Sequence, residues 1–273
     1  MNSKHRKIVR LDIHHTVNEL KQEKMFLKEI NEYLSKKEVG VEKIIETLTH
    51  ELRTPLVPIN AYTDMLLDGH LGKLNKKQME GLKVVSSNTK SMYQLISNLL
   101  DAEKFEIGEI TLDKRQHDLN EIILDTISSM KDRKNKLDEK MHYSPNTETL
   151  DTMSTIPVFC DSKRISQVLT NLIENSLNAV LEDSGRIVIN VEDGEENTLK
   201  VMIKDNGIGI SNDQISKIFS KFYQTDMSRT REKGGAGLGL YLCRKIIESH
   251  GGKIWATSTV GKGMLMTFFL PKD

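Results

Sequence analysis

Two long amphipathic helical patterns joined by a glycine break constrain the fold of this chain more than any other feature of its sequence. Val41, Ile45, Leu48, Leu52, Leu56 and Ile59 recur at steps of three and four, the spacing of one buried helical stripe. The pattern predicts a helix that runs to about Leu67 and stops at Asp68-Gly69, where a glycine takes the left-handed conformation that ends helices. Beyond the loop 70–74, Asn75 caps a second predicted helix with Met79, Leu82, Val85, Met92, Ile96 and Leu99 as its apolar positions, ending near Phe105. Amphipathic helices joined this closely form an antiparallel hairpin. One hairpin cannot close a core around two such stripes, so pairing with a second copy into a four-helix bundle is expected, and the chain is expected to be a homodimer.

Upstream, Ile13, Leu20, Leu27 and Leu34 continue to Val41 and Leu48 at a strict seven-residue step, which favours a supercoiled partner helix. The companion positions Val17, Lys24 and Asn31 are weaker. Gly40 interrupts the repeat, and a glycine inside a helix costs about 0.5–1 kcal/mol relative to alanine. Residues 1–40 are therefore a helical, coiled-coil lead-in, and 41–108 the hairpin.

Charge excludes several classes of protein. Lys+Arg and Asp+Glu both number 39, so no general attraction to nucleic acid is expected. Cys160 and Cys243 lie far apart without CxxC spacing, as for two plain core thiols in a reduced, cytoplasmic setting. Apolar runs are far shorter than the roughly 18 residues of a membrane span. No membrane segment is expected in this chain.

From Ile110 onward the pattern changes. Helical stretches (118–130, 163–181, 213–222, 239–249) alternate with short β-type runs (157–160, 186–191, 199–204, 253–258, 264–270), which predicts an α/β sandwich over 109–273. No GxxxxGK[ST] loop occurs in it. Residues 131–155, rich in charge and Ser/Thr, read as a helix end followed by an exposed loop.

Candidate chemistry sits in both halves. In Leu48-Thr49-His50-Glu51-Leu52-Arg53-Thr54-Pro55-Leu56, His50 lies about 200° round the helix from Leu48 and Leu52, so its imidazole projects away from the apolar stripe with Glu51 beside it. Thr54 follows one turn later on the same face, and Pro55 removes a backbone N–H, which is expected to bend or loosen the helix. His-Glu also opens the zinc-protease signature, but that motif needs a second His where Thr54 stands. In the second half, Asn171, Asn175 and Asn178 fall within about 60° of one another on a helix whose other face is Val168, Leu169, Leu172 and Ile173. Amide carbonyls one turn apart suit Mg²⁺, which keeps waters and takes other ligands from phosphates. Asp205 in Asp205-Asn206-Gly207-Ile208-Gly209 follows an apolar β run, and a carboxylate there can accept from an exocyclic amine such as that of adenine. Gly234-Gly235-Ala236-Gly237-Leu238-Gly239-Leu240 opens a helix, an anion site by its free N–H groups.

Those motifs carry a resemblance. The nine residues around His50 resemble the phosphoacceptor box of sensor histidine kinases, His-Glu-X-X-Thr-Pro-Leu. The later segments resemble the N, G1 and G2 boxes of the Bergerat ATP-binding fold, with Phe219 and Phe222 in Ile218-Phe219-Ser220-Lys221-Phe222-Tyr223 matching its F box. The resemblance covers about Val41 to Pro271. It implies a helical dimerisation hairpin followed by a Bergerat α/β sandwich, with γ-phosphoryl transfer from ATP to His50 and then to an aspartate of a response regulator receiver domain. Glu51 would orient the imidazole or take its proton, and Thr54 would serve dephosphorylation of the regulator. Asn171 and Asn175 would hold Mg²⁺ and Asp205 the adenine amine. Gly207 and Gly209 would form the base-side loop, Gly235, Gly237 and Gly239 would meet the phosphates, and Lys221, Tyr223 and Leu238 would belong to the nucleotide's surroundings. The family often carries cations where this chain has Asn178 and Gln224, which implies slower catalysis unless Lys221, Arg229 or Arg231 substitutes. Two other classes share parts of the pattern: a Bergerat-fold ATPase that does not need an exposed His50, and a degenerate kinase acting as a dimeric scaffold.

Overall fold

The structure is a computed structural model and describes residues 24, 25, 28, 47, 49, 51–131, 141–145, 155–181, 184–195, 197–224 and 236–272. His50, Gly235, Arg229, Arg231 and most of the seven-residue repeat before Leu48 lie outside the described residues. The chain divides into two compact units, Met1–Thr89 and Lys90–Asp273.

In the first unit, helix α1 (51–67) stays helical through Pro55. It ends as expected, with Gly69 at φ 78°. Helix α2 (Lys76–Glu106) then begins on a reciprocal cap in which Gln78 N–H donates to Asn75 Oδ1 and Asn75 N–H donates to Gln78 Oε1, both at 2.9 Å. Within this unit Ser86 Oγ lies 3.5 Å from Asp64 Oδ1. The apolar stripe is unevenly covered: Leu56 is 6% exposed, but Leu52 is 50% exposed and Val57, Ile59, Met65 and Val85 are exposed as well.

The second unit holds the remainder of α2, then β1 (Arg115–Asp118), α3 (Leu119–Lys131), β2 (Met141–Pro145), β3 (Pro157–Cys160), α4 (Ser162–Ala179), β4 (Ile187–Asp193), β5 (Thr198–Asp205), α5 (Asn212–Ile215), α6 (Gly239–Ser249), β6 (Lys253–Thr259) and β7 (Gly263–Pro271). The main sheet has order β2-β4-β5-β7-β6, with β2 parallel to β4 and the other pairs antiparallel. Alternation places Ile187, Ile189 and Val191 of β4 and Leu199, Val201 and Ile203 of β5 on the buried face. There they pack with Leu119 and Ile123 of α3, Leu169 and Leu172 of α4, and Ile246 and Ile247 of α6. Helix α4 contacts both α3 and α6. This is the expected α/β sandwich.

Two local expectations are corrected. Residues 131–155 are not all loop, because Met141–Pro145 forms the parallel edge strand β2. Only five residues long, it ends on a proline that an edge position tolerates. The helix expected over 213–222 ends at Ile215, and turns follow. Phe222 adopts φ 64°, which no helix accommodates, and its N–H donates to Gly237 O at 3.0 Å.

His250 ties the end of α6 to the start of α4. Its Nε2 accepts from the Asp161 N–H at 3.0 Å while Nδ1 lies 2.8 Å from Ile246 O. A backbone N–H can only donate, so Nε2 is bare and Nδ1 carries the proton. Burial holds the imidazole pKa below its ordinary value, and Lys114 adds to this, although the Ile246 carbonyl and Asp161 oppose it. A depressed folded-state pKa means that protonation favours the unfolded chain, so stability is complete above about pH 6.5 and declines as pH falls through the folded value. Denaturant midpoints of the parent are expected to drop more between pH 7.5 and 5 than those of His250→Gln. Equal drops would assign the acid sensitivity elsewhere.

Candidate functional site

Helix α4 starts on Asp161, whose Oδ1 accepts from the Arg164 N–H at 3.2 Å. It buries Ile165, Val168, Leu169, Leu172, Ile173 and one polar residue, Ser176. That serine explains itself at the end of β5, where it donates to Asp205 Oδ2 at 3.1 Å. Asp205 Oδ1 accepts from the backbone N–H groups of Gly207 at 2.9 Å and Met264 at 3.2 Å. The carboxylate is 4% exposed. Burial pushes its pKa above the ordinary carboxylate value, and the donors at Gly207, Ser176 and Met264 pull it partway back. Three of roughly four lone-pair positions are thus occupied, which leaves one for a further donor. A single incoming amine suits that vacancy.

Backbone approaches its neighbours closely around this carboxylate. A Cβ on Gly207 would stand 2.7 Å from Ala179 O, one on Gly209 (φ 63°) would strike Thr259 O, and one on Gly263 (φ 96°) would strike Asp205 O. None of these positions can carry a side chain without displacing main chain. Asn206, next to the carboxylate, is fully engaged elsewhere: its Oδ1 accepts from Arg186 N–H and its Nδ2 donates to Ser184 O.

Helix α6 opens at Gly239 with no acidic residue in its first turn, so the dipole at this end favours an anion. Gly237 has φ 70°, and a Cβ there would lie 2.7 Å from Phe222 C and Tyr223 O. Tyr223 packs against the core, as does buried Phe219. Asn175 and Asn178 are exposed, whereas Asn171 is half-buried. No cluster of three His, Cys, Asp or Glu side chains occurs among the described residues. The donor set, neutral amides beside an anion site, fits Mg²⁺ that takes most of its ligands from phosphates and water.

Lys221 and Leu238 meet the end of α2. The Lys221 ammonium lies 2.7 Å from Glu103 Oε1 and 3.1 Å from Glu106 Oε2. Burial lowers the Lys221 pKa, but the two carboxylates outweigh it and leave the value raised. Tyr241 donates to Glu106 Oε1 at 3.0 Å, and burial, then Glu106, pushes its phenol upward. Arg164 forms a two-pronged pair with Asp101, at 2.6 and 3.2 Å. Leu238, Tyr241 and Leu242 pack around Ala102. Sequence reasoning missed this constellation and the role of Ser176. Signals existed for both: three carboxylates near a helix C-terminus oppose its dipole, and a serine within an apolar stripe calls for a buried partner.

Of the residues expected at the site, the structure places Asp205, Gly207 and Gly209 together, and Gly237 beside the Phe222–Tyr223 segment. Glu51 and Thr54 are exposed on α1.

Residues 160–273 match the family of histidine kinase-, DNA gyrase B- and HSP90-like ATPases. Residues 41–108 match the His Kinase A phosphoacceptor domain. The order of these two domains defines the class, and the chain belongs to the sensor histidine kinases of two-component signalling. It is 33% identical over 235 residues to the circadian input-output histidine kinase CikA of Synechococcus elongatus, covering 85% of this chain and 30% of that protein. It is 32% identical over 231 residues to the sensor histidine kinase WalK of Bacillus subtilis, covering 84% and 36% respectively. The crystal structure of histidine kinase ThkA in complex with response regulator protein TrrA superposes with a TM-score of 0.55 at 27% identity, over 85% of this chain and 61% of that one. The chain spans about a third of the length of the curated relatives it matches. Among the described residues no helix is long and apolar enough to cross a membrane.

Proposed function

We propose that this chain is the catalytic core of a sensor histidine kinase, with 1–40 a helical lead-in, 41–108 the dimerisation and phosphotransfer hairpin and 109–273 the ATP-binding domain. A His50 ring nitrogen attacks the γ-phosphorus of ATP; the P–N bond forms as the bond to the ADP oxygen breaks, and the ring proton passes to Glu51 or water. The phosphoryl group then moves from the imidazole to an aspartate carboxylate of a response regulator. Asp205 accepts from the adenine amine, Gly207 and Gly209 let main chain approach the base, and Gly237, Gly239 and the α6 N-terminus receive phosphate oxygens. The asparagine face of α4 that holds Asn171 and Asn175 is where an amide would meet Mg²⁺, which would offset phosphate charge when bound. Exposed Leu52, Ile59, Met65 and Val85 support burial of the hairpin against a second copy, and the likeness to ThkA in its regulator complex supports a receiver-domain partner. A cytoplasmic location accords with that partner.

The observation that carries this reading is that one chain holds a matched phosphoacceptor segment around His50 and the Asp205 carboxylate with its single vacant acceptor position. Incubation with γ-labelled ATP is expected to yield acid-labile, base-stable phosphoprotein. A plain ATPase would release phosphate without labelling, and a scaffold would do neither.

Thr54 follows His50 by four residues, a helical spacing that would let its hydroxyl place a water against a docked acyl phosphate. Thr54→Ala is expected to keep autophosphorylation and to slow regulator dephosphorylation about tenfold or more, as loss of one positioning contact does. Equal phosphatase rates would reject the role.

A further inference from the structure

Asn171, Asn175 and Asn178 share one face of α4 by spacing, yet the fold separates them. Asn175 and Asn178 are exposed and Asn171 is half-buried. The Asn171 side chain turns to α6: its Oδ1 stands 3.1 Å from where a Cβ on Gly239 would sit, with Cγ at 3.6 Å. Gly239 and Cys243 are four residues apart and so lie one above the other on α6. The amide therefore lies against the first turn of that helix. Cys243 is fully buried and also reaches back to α4, its Sγ 3.8 Å from Val168 O. At Gly239 a Cβ would meet that amide alone among the described residues, in contrast to Gly207, Gly209 and Gly263, where main chain stands in the way.

An amide with its oxygen against Gly239 is committed to the helix interface. We infer that Asn171 is a positioning residue and not a metal ligand: it seats the first turn of α6 on α4 and thereby aims the N–H groups that receive phosphate, leaving Asn175 to meet Mg²⁺. This rests on the nucleotide site proposed above. Glycine at 239 then has a specific physical reason, since it makes room for the Asn171 amide.

The test is a double-mutant cycle on the full chain, with ADP and adenosine affinities measured by calorimetry in Mg²⁺ and in EDTA, and Cys243 accessibility followed by a thiol reagent. Gly239→Ala pushes its new methyl against Asn171 and is expected to weaken ADP roughly tenfold, whereas Asn171→Ala/Gly239→Ala, with the amide gone, is expected to bind ADP no more weakly than Asn171→Ala alone. Asn171→Ala alone is expected to weaken ADP by the same factor with and without Mg²⁺, to leave adenosine binding intact, and to speed Cys243 labelling. Asn175→Ala is expected to lose the Mg²⁺-dependent part of ADP affinity instead. Additive losses in the double variant, or loss of the Mg²⁺-dependent part in Asn171→Ala, would overturn the assignment. Asn171→Ser supplies a variant of smaller disruption should Asn171→Ala fold poorly, with the same equal loss in Mg²⁺ and EDTA expected and an unequal loss counting against. Absence of adenosine and ADP binding in the parent would instead refute the nucleotide site itself.

Discussion

In His50→Gln, labelling by γ-labelled ATP is expected to fall by at least about three powers of ten, because the covalent route has lost its nucleophile. Of eight histidines, His50 and His117 each precede a carboxylate, and of these only His50 stands four residues before a Thr-Pro step. His250 is no substitute: both ring nitrogens are engaged in the core, to Asp161 and Ile246. ADP affinity should be nearly unchanged, since the residues proposed for the nucleotide site begin at α4. Label persisting in the variant would move the acceptor to another side chain and remove the reason for treating the hairpin as the phosphotransfer domain.

Asp205→Asn is expected to weaken ATP, ADP and adenosine by one common factor. The substitution keeps shape but turns one acceptor oxygen into a donor. Two backbone N–H groups face Oδ1, so the amide oxygen is drawn to that side and its NH₂ falls where Oδ2 stood, next to the Ser176 hydroxyl. The serine can rotate its proton away, but an adenine amine then meets a donor. Loss of a hydrogen bond to a charged group costs about 1.5–3 kcal/mol, or roughly one to two powers of ten in Kd. Calorimetry with adenosine isolates the base from the phosphates. An adenosine affinity equal to the parent's would show that Asp205 serves the fold alone.

The sandwich was legible because strict alternation in β4 and β5 and a clean apolar face on α4 carry their own periodicity. Strand β2 was not, because a short parallel edge strand takes its register from β4 and not from its own residues. Asp205 and its glycines were legible as a motif, whereas the three donors that hold the carboxylate come from α4, the following turn and β7, and only the folded chain brings them together. Helical spacing grouped the three asparagines correctly on one face. It could not reveal that α6 lies over one of them. Lys221, expected near the nucleotide, is engaged by Glu103 and Glu106, a pairing across 118 and 115 residues that no local pattern encodes.

The end of α2 has an order of assembly written into it. Asp101, Glu103 and Glu106 crowd negative charge onto a helix end that its own dipole makes negative already, and the cations that answer them, Arg164 and Lys221, are supplied 63 and 118 residues further along. With Lys104 the only cation of the last turn, the turns from Asp101 to Glu106 are expected to hold fully only once α4 and the segment before α6 have folded. A chain made from its N-terminus thus begins its second helix early and completes it late. Melting follows the same logic in reverse: opening of the C-terminal unit and fraying of α2 past Asp101 become one cooperative event, so the helix that starts in the hairpin reports at its far end on whether the catalytic half is intact.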